Sequence, residues 1–242
     1  MKSSIVLIII FSGVMALIGT MLGALLGVIM NKPSRKFLGN IIGFASGLMI
    51  SIVVFELIPE SIDKTGIFGT LMFLILGIII VVIIDKISNL SSNVKSQYTK
   101  VAFMVAVGIM IHNFPEGLVM GFGFANGDSL GLKMSMIIAI HDVPEGLAVA
   151  APLMLSGIKS SKILFYAFLT ALPTAIGAWI GICIGSISVE LLGSALAFAS
   201  GVMLYVVYGE MIPESKKLWS GTTSTLGILL GMIVGLIMTN VI

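Results

Sequence analysis

Charged side chains are scarce in this chain: 13 Lys and Arg and 11 Asp and Glu among 242 residues, or 10%. An ordinary soluble domain carries about 25%. With 58% hydrophobic residues and a mean hydropathy of +1.18, that scarcity excludes a soluble globular protein. The net charge of +2 comes mainly from loop lysines and offers nothing to a nucleic acid. Cysteine occurs once, at Cys183 inside an apolar run, which excludes an intrachain disulfide and reads as a small packing residue. Histidine occurs twice. Long polar stretches are also missing. The longest connection runs from Ser88 to Lys100 without a histidine, and no room is left for a soluble domain.

Apolar runs of 20 or more residues recur along the whole length instead, the mark of an all-α polytopic membrane protein. The pattern predicts eight transmembrane helices, near 4–30, 37–58, 67–86, 101–124, 132–155, 162–185, 189–211 and 223–241. Lys2 followed by an apolar stretch imitates a signal peptide. Residues 4–30 are too long for its core, however, and end at Asn31-Lys32-Pro33, so a retained first helix is expected. Twenty-eight glycines suit close helix packing in a bilayer, and sixteen methionines read as apolar filler.

Both histidines fall in one duplicated motif, His112-Asn113-Phe114-Pro115-Glu116-Gly117-Leu118 and His141-Asp142-Val143-Pro144-Glu145-Gly146-Leu147. Each copy sits mid-span, where an unpaired Asp costs about 2.5–3.5 kcal/mol. Glu116, Asp142 and Glu145 with two imidazoles are therefore costly unless something binds them, and a divalent metal ion is the simplest partner. His and Glu four apart share a helix face, so His112 with Glu116, and His141 with Glu145, can hold one ion. Pro115 and Pro144 each remove a backbone donor, which hydrocarbon depth tolerates only beside protein or a water-filled cavity. Two imidazoles and two carboxylates suit Zn²⁺, Fe²⁺, Mn²⁺, Co²⁺ or Cd²⁺ rather than Mg²⁺ or Cu⁺. Asn113 and Asp142 could hold a second ion beside the first, with Glu116 and Glu145 bridging.

Residues 44–61 and 198–215 match at 11 of 18 positions, 154 residues apart. Five predicted crossings separate the copies, so they run in opposite senses and imply inverted repeats around a central pair, a 3+2+3 plan common in transporters. The loops after helices one, three and five carry Lys32, Arg35, Lys36, Lys86, Lys95, Lys100, Lys159 and Lys162. The opposite side is assigned Lys2, Lys64, Lys133, Lys216 and Lys217, with Glu60, Asp63, Asp128, Glu190 and Glu214. The positive-inside rule then expects both termini outside a cell membrane. Glu56 and Glu210, a turn inside the ends of helices two and seven, read equally well as pathway residues and as interfacial carboxylates. Glu60 and Glu214 read as solvated helix ends, Lys216-Lys217 as a solvated turn, and Trp179 and Trp219 as interface or packing aromatics.

The paired HNFPEG and HDVPEG motifs, with E-x-I-P-E on helices two and seven, resemble the ZIP (Zrt/Irt-like protein) metal transporters, in their compact prokaryotic GufA-like branch. The resemblance covers residues 1–242 as one transmembrane domain. It implies a metal site of His112, Glu116, His141 and Glu145, with Asn113 and Asp142 serving an adjacent second site. It also implies passage of Zn²⁺, and often Fe²⁺, Mn²⁺ or Cd²⁺, toward the cytoplasm as substrate rather than cofactor. A homodimer and an elevator-like motion of helices one, four, five and six against two, three, seven and eight come with it. One departure is Thr174, standing where members with two metals often carry a Glu on helix six, which weakens or removes the second site. Another is the loop between helices three and four, which lacks the histidine-rich run of many eukaryotic members.

Two other classes stay in view, a di-metal carboxylate membrane enzyme and a proton-coupled carrier of another solute. The enzyme would want Glu-x-x-His pairs, and a zinc protease His-Glu-x-x-His; the chain has neither. The reading is therefore a transporter and not an enzyme.

Overall fold

The computed structural model describes residues 2–30, 34–90, 97–126, 128–184 and 188–241, and among these every long segment is helical. In chain order the helices are α1 (Lys2–Ile29), α2 (Arg35–Ile52), α3 (Ile58–Leu90), α4 (Gln97–Asn126), α5 (Asp128–Leu155), α6 (Ser160–Ile184), α7 (Val189–Val206), α8 (Ile212–Leu218) and α9 (Thr222–Val241). Single π-helical turns, Val53–Leu57 and Val207–Met211, join α2 to α3 and α7 to α8. By length and composition, seven helical segments among the described residues are apolar enough to cross a membrane.

One of those segments, Arg35–Ile87, is 53 residues long. Straight, it would measure about 80 Å, more than twice a hydrocarbon core. It breaks at Gly66, whose φ of 69° is a left-handed conformation that glycine adopts without a Cβ clash. Across the break Ser61 Oγ and Thr70 Oγ1 are 2.9 Å apart. Nine residues of unbroken helix would separate them by about 13 Å, so the chain turns back here.

Helices two and seven were expected to end near 58 and 211, ahead of Pro59 and Pro213. Both continue instead. The Ile58 N–H reaches the Val53 carbonyl and the Ile212 N–H reaches the Val207 carbonyl, a five-residue step. That wider turn places each proline in the first turn of the next helical segment, where a missing N–H is tolerated.

Packing is organised in four pairs, α1 with α5, α4 with α6, α2 with α9 and α3 with α7. Within each pair the contacts climb together in residue number, so the partners run parallel. Gly19 meets Ala139 and Gly23 meets Val143; Gly117 meets Thr174 and Gly121 meets Ala178. Gly47 against Ile228 and Gly231 against Phe44 recur 154 residues on as Gly201 against Leu74 and Gly77 against Phe198. At these crossings backbone meets backbone with no room for a Cβ, the close approach that small residues permit in a bilayer. Helices α1, α4, α5 and α6 pack among themselves, and the α2/α9 and α3/α7 pairs meet them chiefly through α2–α5 and α4–α7. Met49, Val53, Met104, Ile109, Val149 and Met203 form part of the core between them.

Two hydrogen-bonded braces also repeat. Ser61 Oγ donates to the Gly193 carbonyl (2.8 Å), and Ser215 Oγ donates to the Gly39 carbonyl (2.7 Å) while lying 2.8 Å from Ser224 Oγ. The second brace corrects one expectation. The turn after helix seven lies beside the start of α2, so Lys216, Lys217 and Glu214 belong with Arg35 and Lys36. Lys36 Nζ stands 5.2 Å over the Trp219 ring.

Glu60 is a solvated end, half-exposed and paired to Lys64 at 2.8 Å. Glu214 is not: it is 3% exposed, because the helix continues through Pro213 and α8 packs on α2. Cys183 is exposed on the last turn of α6, rather than packed. Trp179 does pack, donating from Nε1 to the Ile9 carbonyl at 2.8 Å.

Candidate metal centre

Both motifs lie inside continuous helices, Pro115 within α4 and Pro144 within α5. A proline has no N–H to give, so the carbonyls of Ile111 and Ile140 lose their usual helix donor at the level of the motif. Asn113, Asp142 and Glu145 are fully buried and Glu116 nearly so, whereas Phe114 between them turns outward. The histidines occupy the motif positions on α4 and α5, and their side chains lie outside the described residues.

Neighbouring helices complete the surroundings. Gly19 and Gly23 bring α1 against α5, and there Thr20 Oγ1 donates to Asp142 Oδ2 at 3.4 Å. Gly117 and Gly177 bring α6 against α4, and Asn113 Nδ2 donates to the Thr170 carbonyl at 3.0 Å. That bond fixes the carboxamide with its oxygen turned the other way. Asn113 Oδ1 and Thr174 Oγ1 are buried with no hydrogen-bond partner among the described residues. An acceptor in that condition costs about 1–3 kcal/mol unless a proton or cation meets it.

The charge balance is one-sided. Glu116, Asp142 and Glu145 are buried, and no described lysine or arginine is. Imidazoles, bound protons and a cation are the kinds of partner that stabilise buried carboxylates. With both histidine side chains outside the description, no three His, Cys, Asp or Glu side chains converge among the rest. What the structure brings together is Asp142 with Thr20, and Asn113 with Thr170 near Thr174. Glu56 and Glu210 fall on the two π turns of the flanking helices, both half-buried, and not on α4 or α5. Beside the second π turn, Tyr205 Oη donates to Asp85 Oδ2 at 2.9 Å.

Sequence reasoning missed Thr20 and Thr170. Their signal was a hydroxyl beside small residues in an otherwise apolar run, Gly19-Thr20 and Thr170-Ala171, but its partner comes only from tertiary packing.

Comparison with known proteins points the same way. Residues 85–239 match the family model of the ZIP zinc transporters. Zinc transporter ZupT of Stenotrophomonas maltophilia (strain R551-3) is 31% identical over 242 aligned residues, 89% of this chain and 88% of that protein. Zinc transporter GufA of Myxococcus xanthus is 36% identical over 138 residues, 57% of this chain and 54% of that protein. Zinc transporter ZupT of Salmonella paratyphi A is 29% identical, covering 88% of each chain.

Proposed function

The chain belongs to the ZIP zinc transporter family, and on that premise we propose that it moves divalent transition-metal ions, Zn²⁺ foremost, across a membrane. Members of the family are transporters, so the metal is substrate and the protein is not an enzyme. The observation that carries the reading is the burial of Glu116, Asp142, Glu145 and Asn113 on α4 and α5 with no buried lysine or arginine described beside them. His112, Glu116, His141 and Glu145 hold the ion. Asn113 and Asp142 border a second position, where Asn113 Oδ1 and Thr174 Oγ1 offer neutral oxygens in place of a carboxylate. Fe²⁺, Mn²⁺ and Cd²⁺ suit the same donors. Glu56 and Glu210, on paired π turns, handle the ion along the pathway.

We propose eight passes in a 3+2+3 plan with inverted repeats, the whole chain forming one transmembrane domain. Support comes from the Gly66 reversal and from the parallel packing of α1 with α5, which an unbroken α2–α3 pass would make antiparallel. With Lys216 and Lys217 reassigned, ten Lys and Arg fall on one side and three on the other. That puts both termini outside a cell membrane, with transport toward the cytoplasm. The self-contained packing of α1, α4, α5 and α6 against α2, α3, α7 and α9 suits an elevator motion, within a homodimer.

The test is Zn²⁺ flux into proteoliposomes loaded with a fluorescent chelator. Glu116→Ala and Glu145→Ala are expected to cut saturable flux by more than about tenfold, while the purified protein stays monodisperse. Wild-type rates in both variants would sink the site; no flux in the folded wild type would sink the function.

A further inference from the structure

We propose that the basic end of the α2/α9 pair is a binding site for an anionic phospholipid, with its phosphate at the helix starts and an acyl chain in the groove below. This is independent of metal transport; only the choice of the cytoplasmic leaflet rests on the orientation proposed above.

Four cations gather at this end, Arg35 and Lys36 in the first turn of α2 and Lys216 and Lys217 in α8. The acidic group among them is Glu214, buried beneath in the field of Lys217 and Arg35. Arg35 and Lys36 occupy the positive end of a helix dipole, where cations are unfavourable and an anion is favoured. The matching start of α7 has the same cap: Ser34 Oγ accepts from the Phe37 amide, and Ser188 Oγ from the Leu191 amide. There, however, Glu190 stands in the position of Lys36. So the fold does not require cations at a helix start. A ligand anion bridging the starts of α2 and α9, neither of which has an acidic residue in its first turn, supplies the reason.

The occupant is a lipid because the site continues as an apolar groove of about 470 Å³ between α2 and α9, walled by Phe37, Ile41, Phe44, Leu226 and Leu230. A soluble phosphate has no use for that groove. Asn40 lines it about 7 Å along α2 from Arg35. Trp219, with Lys36 over its ring and Nε1 donating to Thr223 Oγ1 at 2.9 Å, sits where aromatic residues mark a bilayer interface.

The test places the full chain in phosphatidylcholine vesicles with or without phosphatidylglycerol, reading Tm and retained lipid by native mass spectrometry. Phosphatidylglycerol is expected to raise Tm by about 3 °C or more and to survive as an adduct. The pair Lys36→Glu with Lys217→Asp, or the milder Lys36→Gln with Lys217→Gln should the first not fold, loses both effects. Lys64→Gln at the opposite end keeps them. The proposal is overturned by no shift in the wild type, by equal adducts in wild type and variants, or by glycerol phosphate alone reproducing the shift. Zn²⁺ flux in phosphatidylcholine alone stays at wild-type level in the lysine variants, so a failure here is separable from a failure of transport.

Discussion

The two ends of the flanking helices share one skeleton and carry opposite charge. At one end Ser215 is tied to Gly39 and Ser224, and at the other Ser61 is tied to Gly193 and Thr70, each position displaced by 154 residues. Around the first stand Arg35, Lys36, Lys216 and Lys217, with Glu214 buried beneath; around the second stand Glu60, Asp63 and Glu190 with Lys64. Lys36 corresponds to Glu190, and Lys217 to Asp63. Among the residues that stayed alike after duplication are those whose backbones touch or whose hydroxyls span helices. Charge changes at exposed positions, Lys36 against Glu190 and Lys217 against Asp63. Packing thus holds these positions alike in both copies and leaves the charge of the exposed ends free to differ.

The equivalence of the two skeletons breaks most sharply at the glycine crossings. Gly47→Leu and Gly201→Leu should each leave no folded protein by size-exclusion chromatography, because both face a carbonyl on a parallel neighbour. The alanine versions are expected to cost about 1–3 kcal/mol each, equal in the two copies. Collapse of one and tolerance of the other would show that the copies bear load differently.

Glu60 and Glu214 sharpen the contrast, since the same residue occupies both copies in different surroundings. Glu60→Ala removes an exposed pair with Lys64 and should shift stability by less than about 1 kcal/mol. Glu214→Ala empties a buried position and should cost about 1–3 kcal/mol. Chemical denaturation in detergent compares them, and equal effects would remove the asymmetry.

Much of this was legible from residues alone. The runs of apolar residues marked an all-helical membrane protein, and the two copies of the 18-residue repeat carry Ser61 and Ser215 of the paired braces and Gly47 and Gly201 of the crossings. Asn113, Glu116, Asp142 and Glu145 were expected in the membrane interior, and they are buried. The unreadable parts all depend on partners distant in sequence. Helices two and seven run past their expected ends because the five-residue hydrogen-bond step that accommodates Pro59 and Pro213 leaves no local pattern. Glu214 looked solvated because its cover is α2, 176 residues from Ser215 at the nearest brace. Lys216 and Lys217 lie with Arg35 and Lys36 and not with Lys64, a placement fixed by the Ser215–Gly39 bond between segments 176 residues apart. Thr20 and Thr170 carried no sign of which motif residue each would meet.

The smallest expected effect concerns the acidic end. Three carboxylates against one lysine, with Asp63 and Glu190 exposed, make the α3/α7 end weakly negative, opposite the basic cluster. A divalent cation approaching that face is concentrated locally, and the enrichment fades once the Debye length falls to about 10 Å at 0.1 M salt. Asp63→Asn with Glu190→Gln should therefore raise the KM for Zn²⁺ uptake about twofold in low salt and change nothing in high salt, with kcat untouched. Neither residue lies on α4 or α5, so an effect on kcat, or one that persists in salt, would mean that this end takes part in the conformational step and does more than gather ions. A matched pair at the basic end, Lys36→Gln with Lys217→Gln, leaves KM unchanged if the inverted charges serve different ligands. A KM shift of the same size from both ends would instead reduce the contrast to one long-range field acting on the whole protein.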